Sequence, residues 1–68
     1  MQAAIPTTIN TIRTLTDHAK QLMVNATIDL PEYSHPEFRA QQIANAIATL
    51  QHLEQLLIAD AVLLNMTI

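Results

Sequence analysis

The chain has 68 residues, room for one small domain whose core is marginal if it folds alone, because only about 60% of the unfolded surface is buried at this size. Half of the residues are hydrophobic, yet Tyr33 and Phe38 are the only aromatics, so the core draws on Leu, Ile, Val, Ala and Met, the vocabulary of packed helices. The lack of Cys excludes a disulfide scaffold, a thiolate zinc site and a cysteine nucleophile, the lack of Gly excludes a phosphate-cradling loop, and a formal charge of −3 gives nucleic acid no basic footprint.

The opening residues, Met1 to Pro6, have neither a basic leader nor a continuous apolar run, so no secretory signal is expected and the setting is taken as cytoplasmic. In that setting the acceptor-like patterns at Asn25 and Asn65 carry no weight. A first helix is predicted over about 7–26. Ile5, Ile9, Ile12 and Leu15, then Ala19, Leu22, Met23 and Ala26, recur at steps of three and four and form a stripe about 140° wide. Asn10, Arg13, Asp17, Lys20 and Gln21 lie opposite. Thr7 or Thr8 is the expected N-cap. The five threonines between Thr7 and Thr16 are indifferent helix formers, so this helix depends on packing.

A connector is predicted over about 27–35, where Asp29, Pro31, Ser34 and the following Pro36 prevent a continuous helix. Ser34 and Glu37 have the spacing of a capping box, with Tyr33 and Phe38 placed as its hydrophobic staple. Pro36 disfavours the helical region for His35, which leaves a second frame in which His35 is the cap and Pro36 the first helical residue.

A second helix is predicted over about 36–66, a rod of roughly 45 Å against roughly 27 Å for the first. Its main stripe is Ile43, Ala46, Ile47 and Leu50, continued by Leu53, Leu57, Ala61 and Leu64, a seven-residue repeat of the coiled-coil kind. Folded back as an antiparallel hairpin, the first helix reaches only to about Leu53 or Gln55, and the rest of the second overhangs. There a second stripe of Leu56, Ala59, Leu63 and Met66 appears, with Ile58 and Val62 as a third apolar direction. A helix apolar nearly all round is buried on nearly all sides. Leaving about six large side chains half exposed forfeits on the order of 5 to 9 kcal/mol, comparable with the whole stability of such a domain.

The fold class expected is therefore all-α: an antiparallel hairpin that assembles into a dimeric four-helix bundle, the alternative being a three-helix monomer in which the second helix breaks near Asp60. The expected interface is Leu53, Leu56, Leu57 and Ala59 with Asp60, Leu63, Leu64 and Met66. Within it Asp60 either pairs with a base of another chain (Arg13, Lys20 or Arg39) or marks a solvated seam where the contact ends, and Glu54 shares that ambiguity. His18, His35 and His52 have no ligand partner at helical spacing, and Ser34 is accounted for by capping, so no catalytic residue, metal or cofactor is expected. The run from Leu53 is too short and too interrupted to span a bilayer, and the second helix has only Arg39 to offer anionic lipid, so no membrane partner is expected. The function expected is a non-enzymatic interaction module, a self-associating small adaptor or regulator. The alternative is an inhibitor or secretion-type co-chaperone whose apolar C-terminal helix binds an amphipathic helix of a larger protein.

Overall fold

The computed structural model describes residues 7–67. Among them are a helix α1 (Ile9–Asn25), a one-turn 3-10 segment (Pro31–Tyr33) and a long helix α2 (Pro36–Thr67), with α1 and α2 packed side by side. The chain is an all-α hairpin. Ile5 and Ile68 lie outside the described residues.

Helix α1 starts where Thr8 takes extended backbone and its Oγ1 accepts the Thr11 N–H at 3.1 Å. That satisfies one of the four N–H groups a helix start leaves open. At the other end no residue enters the left-handed region, in keeping with a chain that has no Gly. The open carbonyls are met otherwise. Thr27 donates from both its N–H (2.9 Å) and its Oγ1 (2.7 Å) to Val24 O. Arg39 reaches back from α2 to donate to Ala26 O at 2.5 Å and to Ile28 O at 2.9 Å. A guanidinium at a helix C-terminus meets both the unpaired carbonyls and the negative end of the helix dipole. Arg39, the one base of the second helix, thus ties α2 to the end of α1.

The connector resolves the choice of cap. His35 Nδ1 accepts the Glu37 N–H at 3.2 Å and His35 O accepts that of Arg39, so His35 caps α2 and Pro36 is its first residue. The Ser34–Glu37 capping box does not form. Ser34 is spent on the preceding turn, its Oγ donating to Pro31 O at 2.8 Å. The aromatic staple does form, with the Tyr33 and Phe38 rings 5.5 Å apart and tilted by 50°.

Helix α2 runs through Asp60 without a break, so the fold-back into a third helix is not adopted. Its contact seam differs from the expected stripe. The covered positions are Arg39, Gln42, Ala46 and Thr49, then Leu53, Leu56 and Asp60, alternating steps of four and three. Ala46 and Leu53 belong to both readings and are buried, but Ile43, Ile47, Leu50 and Leu57 are exposed. The helix is turned by roughly 60°, less than the 100° of one residue, from the setting its most apolar stripe would choose. The cause lies in two features. Ala19 and Ala46, both small and both buried, leave room at the seam for the other helix, and the Arg39 bridge holds the start of α2 against the end of α1. Polar members of the contact satisfy themselves: Thr16 Oγ1 donates to Ile12 O at 2.7 Å and Thr49 Oγ1 to Asn45 O at 2.9 Å. On α1 the covered line is Ile12, Leu15, Ala19, Leu22 and Ala26, as expected, while Ile9 and Met23 are exposed.

The molecule measures 56 × 18 × 10 Å. Its least extent is one helix thick. Its radius of gyration is 16.3 Å, where a compact chain of this length has about 11 Å. A single layer of two helices has a seam but no interior, and Ala19, Ala46 and Leu53 are the buried apolar residues described.

Candidate interaction surface

In an antiparallel helix pair, residues that follow the contact positions lie on one face of the layer in both helices, and residues that precede them lie on the other. The two faces differ in chemistry. On the preceding side α2 carries Gln41, Asn45, His52 and Gln55, and α1 carries Thr14, His18 and Gln21. Amide pairs one turn apart knit this side on each helix: Gln41 to Asn45 at 2.9 Å and Gln21 to Asn25 at 3.0 Å. It is a face made for water.

On the following side α2 presents Ile43, Ile47, Leu50, Glu54, Leu57 and Ala61, again alternating three and four. This is a second heptad seam beside the first, interrupted only by Glu54. Part of it forms a shallow groove of about 400 Å³, lined by Leu50, Leu53, Glu54, Leu57, Ile58 and Ala61. On α1 the same face carries Ile9, Arg13, Thr16, Lys20 and Met23. Ile9 is 61% exposed and Ile47 51%, values that belong to side chains awaiting a cover rather than to a finished surface.

The residues expected at the interface do not share one seam: Leu53, Leu56 and Asp60 lie on the inner line, Leu57 and Leu64 on the outer one, and Ala59 on the watery side. Leu53 and Asp60 are buried within the protomer and Leu56 is half-buried there. Leu57, Ala59, Leu63, Leu64 and Met66 are exposed, Met66 the most so. Asp60 is neither a solvated seam nor ion-paired in the protomer: it is 5% exposed, and neither carboxylate oxygen has a hydrogen-bond partner. The spacing of seven from Ala46 through Leu53 to Asp60 is the signal that places it, and it is visible once the contact phase is known. Arg39 as a helix tie had no local signal, because its partners are 11 and 13 residues away.

The three histidines are exposed and no group of three or more His, Asp or Glu side chains among the described residues is placed to hold a metal ion. By length and composition α2 is also long and apolar enough to cross a membrane: its best window has a mean hydropathy of 1.3 and is 11% buried. This corrects the count begun at Leu53, which left out Ile43, Ile47 and Leu50 on the same uninterrupted helix. No protein-family model, curated protein or solved structure matches the chain.

Proposed function

We propose that this chain is a non-enzymatic protein–protein interaction module, a small helical adaptor or regulator that self-associates into a dimeric four-helix bundle. The observation that carries the reading is surface left over. The accessible surface is 5307 Å², against about 4,300 Å² for a globular monomer of this mass. The excess of about 1,000 Å² is close to the ~800 Å² that each partner buries in a standard interface. It includes an apolar seam of heptad spacing that the hairpin itself does not use.

Two features of the chain favour a watery setting over a spanning α2. Glu54 and Asp60 sit within the apolar stretch, where a carboxylate at mid-bilayer costs about 2.5 to 3.5 kcal/mol. Alongside its first half packs α1, which carries Arg13, Asp17 and Lys20. A second reading rests on the groove at Leu50 to Ala61: an inhibitor or co-chaperone would seat there an amphipathic helix of a larger protein. Thermal unfolding at several protein concentrations separates the two. Self-association makes the midpoint rise with concentration, because folded chains are held by mass action. A midpoint that does not move, in a chain that gains helicity only when a host protein is added, supports the helix-accepting reading and removes the first.

A further inference from the structure

We infer that the occupant of the apolar face is a second copy of this chain, set by a two-fold axis parallel to the helices, so that α2 of each copy lies on α1 of the other and Glu54 pairs with Arg13 across the contact. The inference rests on the self-association proposed above and adds its geometry and the residues that select it.

The register of the hairpin supplies the levels. Arg39 is bonded to Ala26 O, and seven residues further along each helix stand the two buried alanines, Ala46 and Ala19. Seven more bring buried Leu53 level with Ile12; Glu54 and Arg13, each one residue further on in opposite directions, then stand about two residues, or 3 Å, apart along the axis, a gap their long side chains span. By the same count Ile43 stands level with Met23, and Leu57 with Ile9, each within about one residue, or 1.5 Å, along the axis. A two-fold parallel to the helices preserves level while exchanging α1 for α2. It sets Ile43 against Met23, Leu57 against Ile9 and Glu54 against Arg13: apolar on apolar at both ends and opposite charges between them. These four apolar side chains are each at least 41% exposed in the protomer. Within the protomer neither Glu54 nor Arg13 has an ion pair or side-chain hydrogen bond among the described residues.

The other closed arrangement turns the two-fold across the helices, which lays α1 on α1 and α2 on α2. That brings Arg13 and Lys20 of one copy onto the same bases of the other. Near its symmetric centre it also brings the two Glu54 carboxylates together in an apolar seam. Like charges facing each other across an excluded contact are what specificity devices use to reject a partner. The parallel axis has no such conflict. It also leaves both α2 overhangs at the same end of the bundle, diagonally opposed beyond Leu57, with no α1 between them.

Two single variants and their mixture test this. Glu54→Arg sets a second guanidinium against Arg13 at both symmetric contacts, and Arg13→Glu sets a second carboxylate against Glu54 at both. Each variant alone is expected to dimerise at least tenfold more weakly than the parent chain, whether or not its helicity falls with it. Mixed in equal amounts they are expected to form a 1:1 heterodimer with affinity and helicity well above either variant alone, read by native mass spectrometry and circular dichroism, because one of the two symmetric contacts then joins the parental pair Glu54 and Arg13 and the other joins the same charges exchanged. A parent chain that dimerises, with variants that dimerise equally well or that fail to rescue one another, overturns this geometry and leaves self-association standing. A monomeric parent chain overturns both.

Discussion

Arg39 belongs to α2 but finishes α1. Helix α1 closes without the usual left-handed residue, in a chain that has no Gly, and the carbonyls at Ala26 and Ile28 take their donors from a planar fork of N–H groups on α2. Because the donor sits on the opposite helix, one side chain sets the termination of α1, the register of the pair and the rotation of α2. Arg39→Met keeps the aliphatic stem and removes the fork. It is expected to lower stability by about 1.5 to 3 kcal/mol, the range for hydrogen bonds from a charged group, measured by the urea midpoint. A Lys at this position restores only part of the loss, since its point charge cannot span both carbonyls. An unchanged midpoint in Arg39→Met means that the tie contributes nothing and that the seam sets the register unaided.

At the scale of the helices, the course of the chain was legible and the rotation of α2 was not. Thr8, Pro36 and the Tyr33–Phe38 contact are local signals, readable because capping and aromatic contact act over a few residues. The stripe of α1 was also readable, since it has a single apolar direction. Helix α2 has apolar side chains in several directions, and periodicity alone assigns the most hydrophobic of them to the nearest neighbour. The hairpin instead uses the adjacent line, on which the small buried residues Ala19 and Ala46 and the Arg39 bridge lie, and the pairing of one helix's line with the other's is not a property of one segment. The richer line is thereby kept for another contact. Asp60 ends the inner line with a buried carboxylate that no donor meets. A buried, unpartnered charge is costly, so Asp60→Leu is expected to raise stability by about 1 to 3 kcal/mol in thermal or urea unfolding. A loss of stability would show that Asp60 is ion-paired in the assembled protein, as in the first of the two roles its sequence position suggested.

For the whole molecule the governing fact is thickness. A layer 10 Å deep and 56 Å long has nearly all of its side chains within reach of water, and no rearrangement of two helices gives it an interior. One side of the layer is furnished for water with amides and histidines, and the other carries an apolar seam punctuated by one acid and flanked by two bases. Stacking two such layers on their apolar sides makes a body about 20 Å deep, the ordinary thickness of a four-helix bundle. The same seam explains why α2 passes a hydropathy test for membrane spans: a helix with two apolar lines reads as apolar overall whether its surroundings are lipid or other helices. Sedimentation equilibrium in dilute buffer at micromolar concentration, without detergent, decides the matter most directly. The account predicts a folded, helical species of twice the 7.6 kDa chain mass; a well-ordered helical species of the single chain mass would contradict it.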